Sequence, residues 1–517
     1  MKMKRLLVFL PLIAALVIVY SASATVSTPS IFGDHMVLQQ GKSLPVWGKA
    51  DPGEKVRVTL GNKTRSTTAC AEGKWMVKLG TMNTGGPYEL KVEGKDNTLV
   101  FTDVLIGEVW LGSGQSNMQW TVSNSANAQE EIAKASHPYI RLFSVERTVA
   151  QSPQEDCKGT WSLCSPETVP EFSAVLYFFG RELHERLGNI PTGLIHTSWG
   201  GTPAEAWTSR CMLESDPDLA GIVQNWDKAV ADYPAAKAAY DQAMEAWKTA
   251  VEQAKAAGTP EPPKPEAPRG PDSPWLAAGL YNAMIAPLVP YAIQGAIWYQ
   301  GESNAGRAYQ YRKLFPAMIS DWRKAWKQGP FSFYFVQLAN FTAELPDPAE
   351  SDWAELREAQ TMTLSLRNTG MATIIDIGEA KDIHPKNKQD VGKRLALNAL
   401  AKDYGKNVVW SGPMYKSMRV SGDKIILSFS HTDGGLKARD GETLKGFAVA
   451  GADKIFVWAD AVIQGKKVVV SSPQVPKPVA VRYAWANNPV CNLVNGEGLP
   501  ASPFRTDQWP GLTVNNK

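Results

Sequence analysis

The stretch from Val104 to Ser198 constrains the fold more than any other. Val104 to Leu111 is an apolar run that enters a glycine turn, Gly112-Ser113-Gly114. Phe172, Leu176, Phe179, Leu183 and Leu187 then recur at spacings of three and four, one face of an amphipathic helix. Pro191 follows, and a second apolar strand, Thr192 to Ser198, ends at Gly200-Gly201. Strand, helix, strand in this order predicts a βαβ unit in a parallel sheet. The pattern resumes with strands over Ile293–Tyr299, Phe333–Leu338 and Met371–Ile377, and helices over Tyr309–Trp326 and Gln389–Tyr404.

The flanks read differently. Short alternating runs at Val37-Leu38, Leu44–Gly48, Val56–Leu60 and Tyr88–Val92 predict a small β-sandwich over 25–104. From Trp410 onward the chain is β-rich again, with runs at Ile425–Ser430, Ile455–Trp458, Val468–Ser471 and Val479–Tyr483. Leu219 to Ala257 is rich in Ala, Lys and Glu and helix-prone, and proline crowds Thr259 to Pro274. That pair reads as a surface insertion at about 213–275, interrupting a central α/β region of 105–410 and leaving 411–517 as a C-terminal β region.

The first 24 residues read as an export signal. Lys2, Lys4 and Arg5 precede an apolar run from Leu6 to Tyr20 and the small-x-small site Ala22-Ser23-Ala24. The run falls short of the roughly 20 residues a spanning helix needs. The expectation is cleavage after Ala24, no stable membrane anchor, and a periplasmic or extracellular protein. Of 517 residues, 54 are Lys or Arg and 51 Asp or Glu, so no one-signed field argues for nucleic acid. Of five cysteines, Cys157 and Cys164 lie close enough in sequence to bridge a surface loop in an oxidising compartment.

The chemistry concentrates at four places. In Gly114-Gln115-Ser116-Asn117-Met118 a serine stands where a strand ends and a helix begins. There a hydroxyl projects from the carboxyl edge of the sheet, beside free N–H groups. Ser116 is therefore a candidate nucleophile, or else only a helix cap. Met118 rules out the Gly-x-Ser-x-Gly elbow. Among six histidines, His384 in Lys381-Asp382-Ile383-His384-Pro385 has the best company for a base: a polar loop and a carboxylate two residues back. His137 reads as a loop residue, His184 as a surface residue and His196 as part of a strand core. Asp382 is the nearest acid to orient His384, and Glu302 is the rival. Candidate oxyanion donors are the N–H of Ser116, that of Gly200 or Gly201, and an amide from Gln300 or Asn304. No metal, phosphate-loop or nicotinamide motif is found.

Taken together, Gly114–Met118, Ser198-Trp199-Gly200-Gly201-Thr202, Trp298-Tyr299-Gln300-Gly301-Glu302-Ser303-Asn304 and Asp382–Pro385 resemble the sialate O-acetylesterase family, a branch of the SGNH hydrolases. The likeness extends to Thr168–Gly180, to Phe32–Gln39 and to Phe504–Asp507, so it covers nearly all of residues 25–517. It implies an SGNH-type, flavodoxin-like α/β fold: a parallel sheet with helices on both faces, flanked by β-sandwich-like regions. It implies Ser116 as nucleophile, His384 as base and Gly200 or Gly201 as oxyanion glycine. Two departures stand out. The wider superfamily has Gly-x-Asn where Gly301 is followed by Glu302, Ser303 and Asn304, and it places Asp three residues before His, where Lys381 stands. Gln300 and Asn304 both stay open as amide donor, and Asp382 and Glu302 as acid.

The resulting expectation is an exported carbohydrate O-acetylesterase that needs no cofactor and takes an acetylated sugar or glycan, with O-acetylated sialic acid favoured by resemblance. Acetylated xylan or another polysaccharide is the alternative substrate. A non-catalytic glycan-binding protein is the alternative from another class. A glycosidase would need Glu302 and Asp382 to face one bond without Ser116.

Overall fold

A computed structural model describes residues 25–517; the expected export signal lies outside the described residues. The central sheet runs in the order Thr369–Ala372, Ser332–Val336, Gly295–Tyr299, Thr98–Gly114, Thr192–Ser198, His137–Ser144 and Trp161–Cys164. All neighbours are parallel except the last pair, which is antiparallel. Of the parallel strands in this order, the first in the chain, Thr98–Gly114, thus lies at the centre. The next two lie to one side and the last three to the other. Such a reversal of strand order opens a crevice at the carboxyl ends of the central strands.

Helices cover both faces, and the side chains alternate accordingly. Trp110 packs on Phe179 of helix Ala174–Arg186 and on Tyr334, while Trp298 packs on Phe315 and Trp322 of helix Ala308–Trp326. Phe333 and Phe335 meet Phe315, on the face opposite Tyr334. Helix Lys388–Lys402 lies beside Ala174–Arg186.

Strand Thr98–Gly114 is 17 residues long and runs unbroken across residue 104, where the central α/β region was expected to begin. Up to Asp103 its residues alternate in exposure; from Val104 all are buried. The first part pairs antiparallel with Gly85–Glu93 in the N-terminal β region, and the rest enters the covered parallel sheet. An open antiparallel sheet and a doubly covered parallel sheet call for these two patterns. The β-rich N-terminal part is therefore joined to the α/β part through a shared strand.

The insertion is a helix, Pro217–Ala257, of 41 residues. Asp216 caps its start, Pro217 fits its first turn, and Gly258 ends it in the left-handed region. Its middle is largely exposed; Leu219, Ile222, Val223, Val251 and Ala254 are its buried residues. The proline-rich return lies along it, held where Trp247 Nε1 donates to the Pro262 carbonyl at 2.9 Å. After residue 410 two four-stranded antiparallel sheets enclose a second core that includes Ile425, Leu427, Val449, Val468, Val481 and Tyr483.

Three expectations need correction. Cys157 and Cys164 are both buried free thiols, with no bridge between them. Burial pushes each up to about 12, so neither is a ready thiolate. His137 begins the strand His137–Ser144 rather than lying in a loop. His184 is buried, not superficial: its Nδ1–H donates to the Ile190 carbonyl at 2.7 Å, which fastens the end of the helix to the following turn.

Candidate active site

Ser116 begins the four-residue helix Ser116–Gln119 at the end of the central strand. The turn that delivers it needs a glycine. Gly114 has φ 143°, and a Cβ there would fall 2.1 Å from the Tyr299 carbonyl oxygen. Gln115 N–H donates to that same carbonyl at 3.0 Å, so the turn is bound to the end of the next strand. Its side-chain Oε1 accepts from Gly301 N and Ser303 N, both at 3.3 Å. Ser116 is thereby held with its Oγ at the mouth of the crevice.

His384 reaches it from the loop between strand Thr369–Ala372 and helix Lys388–Lys402. Its Nε2 lies 2.8 Å from Ser116 Oγ. The ring stacks on Trp120, with centroids 4.9 Å apart and planes 14° from parallel. Asp382 is the carboxylate beside it. Asp382 Oδ1 accepts the His384 backbone N–H at 2.9 Å and stands 3.5 Å from Nδ1, an ion-pair distance rather than a close hydrogen bond. The two-residue spacing explains this: an aspartate turned back on the backbone two residues on forms a local Asx-type turn. Burial first and the charge of Lys388 second push His384 below 6.5, with Asp382 opposing. A neutral imidazole within hydrogen-bond reach of a hydroxyl can take its proton.

Glu302 goes elsewhere. Its Oε1 accepts from Asn117 Nδ2 at 2.7 Å, and its Oε2 is buried with no hydrogen-bond partner among the described residues. Burial pushes its carboxyl up, against the Asn117 bond and the Lys388 charge. The histidine's neighbouring acid is Asp382, so Glu302 is corrected as its orienting partner.

The amide donors are corrected in the same way. Gln300 Nε2 donates to Asn304 Oδ1 at 2.6 Å and to the Thr202 carbonyl at 3.3 Å, while its Oε1 accepts from Tyr311. Asn304 Nδ2 donates to Glu205 Oε2 at 2.9 Å, and its Oδ1 also accepts from Ala204 N. Both side chains are fully enclosed, committed to a buried network under the loop rather than aimed at Ser116.

Of the two glycines, Gly200 is the one beside Ser116: a Cβ on it would stand 3.2 Å from Ser116 Cβ. Gly201, at φ 74°, is exposed and turns the chain outward. In the resting site Gly200 N–H donates to Gln119 Oε1 at 2.7 Å. The N–H of Ser116 has no partner among the described residues.

Four contributors had no role assigned from sequence. Asn117 lies inside the serine motif, directly after Ser116. Gln119 and Trp120 follow it by a few residues. Lys388 left one signal: a lysine in the first turn of a helix opposes the dipole, so its presence there requires compensation. Among the described residues no group of three or more His, Cys, Asp or Glu is placed to hold a metal ion.

Comparison with known proteins bears on this geometry. Residues 272–401 match the family model for carbohydrate esterase, sialic acid-specific acetylesterase. The chain is 32% identical to a sialate O-acetylesterase of Mus musculus, over 92% of this chain and 93% of that one. It is 31% identical to the sialate O-acetylesterase of Homo sapiens, over 94% of each. Among solved structures, a carbohydrate acetylesterase from Xanthomonas citri superposes with a TM-score of 0.80 at 37% identity, covering 94% of this chain and all of that one.

Proposed function

The chain belongs to the sialate O-acetylesterase family of carbohydrate esterases, and we propose that it removes acetyl groups from O-acetylated sialic acids through an acyl-enzyme on Ser116. The observation that carries the mechanism is the 2.8 Å contact between Ser116 Oγ and His384 Nε2 at the carboxyl edge of the sheet.

His384 Nε2 takes the Ser116 proton as Oγ attacks the acetyl carbonyl. The oxyanion is held by the N–H groups of Ser116 and Gly200, once Gln119 Oε1 yields its place on Gly200. The carbon–oxygen bond to the sugar breaks, and the sugar oxygen leaves with the proton from His384. Water, deprotonated by His384, then attacks the acetyl-serine; acetate leaves and the proton returns to Ser116.

Sialic acid carries a carboxylate, and its recognition calls for a free cation near the serine. Arg147 supplies one. It follows strand His137–Ser144 on the same edge, is exposed, and lies over the Trp199 ring at 5.9 Å, with no ion pair among the described residues. Trp199 directly precedes Gly200. Two strand spacings separate the Arg147 and Ser116 strands, about 10 Å, which suits a sugar whose ester and carboxylate are engaged together. We further propose export, with cleavage after Ala24; the amino terminus of protein recovered outside the cytoplasm would then be Thr25.

The test is hydrolysis of 4-nitrophenyl acetate and of O-acetylated sialic acid by the purified protein, beside Ser116→Ala, His384→Ala and Arg147→Ala, with acetylated xylan as the competing substrate for the unmodified protein. Loss of both activities in the first two variants supports the mechanism. A rise in KM confined to the sialic acid ester in Arg147→Ala supports the substrate. Full activity in Ser116→Ala overturns the mechanism, and preference for acetylated xylan overturns the substrate.

A further inference from the structure

Beneath the serine and histidine lies a group that the reaction does not directly use. Lys388 opens helix Lys388–Lys402, and it is 0% exposed. Its Nζ donates to Asn117 Oδ1 at 2.5 Å. Asn117 Nδ2 in turn donates to Glu302 Oε1 at 2.7 Å and to the Ile383 carbonyl at 3.0 Å. One amide thus joins the residue after Ser116, the residue before His384, the end of strand Gly295–Tyr299 and the start of a helix. Only an amide offers two donors and an acceptor on one short side chain.

The cation's surroundings are complete. Lys388 Nζ lies 5.5 Å from the Tyr299 ring and 5.7 Å from the Trp120 ring, the ring on which His384 stacks. The charged groups facing it are Glu302 from the strand end and Asp382 and Glu379 from the histidine loop. A buried lysine at a helix start is costly on two counts, desolvation and the dipole. Glu302, reached through Asn117, offsets part of that cost.

We propose that Lys388, bridged to Glu302 by Asn117, is a positioning residue of the esterase: it fixes the His384 loop against Ser116 and holds the imidazole in its neutral form. The inference rests on the Ser116 and His384 mechanism proposed above. The bond to the Ile383 carbonyl sets the backbone just before the histidine, so the Ser116–His384 distance depends on one amide. A cation nearby disfavours a second positive charge on the imidazole, which keeps the base ready at lower pH. Once the imidazole has accepted the serine proton, the same cation makes it a stronger acid toward the departing sugar oxygen. Burial pushes Lys388 itself down to about 7, opposed by Glu302, Asp382 and Glu379, and its charge pushes His384 in the direction described above.

The test uses the full chain and the pH dependence of kcat/KM with 4-nitrophenyl acetate. Lys388→Met together with Glu302→Gln removes both charges and leaves neither orphaned. The acid limb is expected to move to higher pH, and the active fraction, titrated with a serine-reactive phosphonate, to stay near that of the unmodified protein. Lys388→Gln, which keeps a donor to Asn117 and drops the charge, repeats the measurement if the double variant does not fold, with the same upward shift expected. Asn117→Ala should lower kcat by on the order of 100-fold with KM little changed. An acid limb that stays in place in whichever of the two Lys388 variants folds overturns the inference. Activity that survives Ser116→Ala overturns the parent mechanism instead, so the two failures are distinct.

Discussion

Asp382 is only loosely engaged with the histidine it neighbours. Its side chain is 39% exposed, 3.5 Å from His384 Nδ1, and it spends its closer bond on a backbone N–H. A partly exposed ion pair contributes up to about 1 kcal/mol, whereas a buried triad aspartate is worth about 10,000-fold in kcat. Asp382→Asn should therefore lower kcat by no more than about tenfold, measured with 4-nitrophenyl acetate at neutral pH. A loss near that of His384→Ala would show that Asp382 works as a full triad acid. The pH profile has a fixed sign. As the proposed base His384 must be neutral to accept a proton, and burial with the Lys388 charge pushes it below 6.5. The rate should rise with pH through a midpoint below 6.5 and level off above it; a midpoint above 6.5 contradicts that environment. Ser116 and His384 could be picked out as a candidate pair because each stands in a polar turn beside a strand end, and the glycine was narrowed only to Gly200 or Gly201, since sequence does not show which of the two packs on Ser116. Gln300 and Asn304 were not separable from a surface donor, because sequence does not show that Glu205, Thr202 and Tyr311 absorb their hydrogen bonds.

The elements that carry the site lean on close backbone approach. Helix Lys388–Lys402, which begins four residues past His384, meets helix Ala174–Arg186 at Gly392. A Cβ on Gly392 would stand 2.6 Å from Phe178 Cβ and 2.7 Å from Phe179 N. Neither neighbour can withdraw without moving its helix. Gly392→Ala should cost about 1–3 kcal/mol of stability and lower kcat, since the helix start and the histidine loop move together. Denaturant unfolding beside kcat checks both; an alanine variant as stable and active as the parent shows that the helices have room. The parallel strands Thr192–Ser198 and Gly295–Tyr299 and these helices were legible because apolar period and glycine turns agree, whereas the parallel strand His137–Ser144 was not, its first three residues being unburied. Strand Lys63–Thr68 escaped notice because most of its residues are exposed, so no alternation marks it. Helix Asp352–Met362 was hidden for the opposite reason: Glu355, Arg357 and Gln360 are buried polar residues on its inner side.

Those polar residues act at the scale of the whole molecule, because they fasten the C-terminal β region to the α/β part. Arg357 is fully buried and has no carboxylate among its hydrogen-bond partners. Its guanidinium donates to the carbonyls of Leu338 at 2.8 Å, Ala339 at 2.7 Å, Ala486 at 2.6 Å and Asn487 at 2.8 Å. Two of these follow strand Ser332–Val336 and two follow strand Ala480–Tyr483, so one side chain holds both regions. Around it, Arg505 pairs with Glu358, and Glu355 accepts from Leu512 N and Thr513 N near the chain end. The Leu338–Asn340 segment lies on the carboxyl edge, and Asn340 Oδ1 accepts from Gly378 N in the segment leading to the histidine loop. The C-terminal region is thereby coupled to the site without supplying a reacting group. Arg357→Ala leaves the Leu338 and Ala486 carbonyls without a donor, while Ala339 keeps Trp353 Nε1 and Asn487 keeps the Phe341 N–H; at about 1–3 kcal/mol for each buried group left unpaired, the loss is about 2–6 kcal/mol. Scanning calorimetry should show a lowered Tm, and kcat should fall as the loops after Ser332–Val336 loosen. If Tm is unchanged, the carbonyls find other donors and the two regions are held by their apolar contacts. If Tm falls while kcat is kept, the docking stabilises the molecule but does not reach His384.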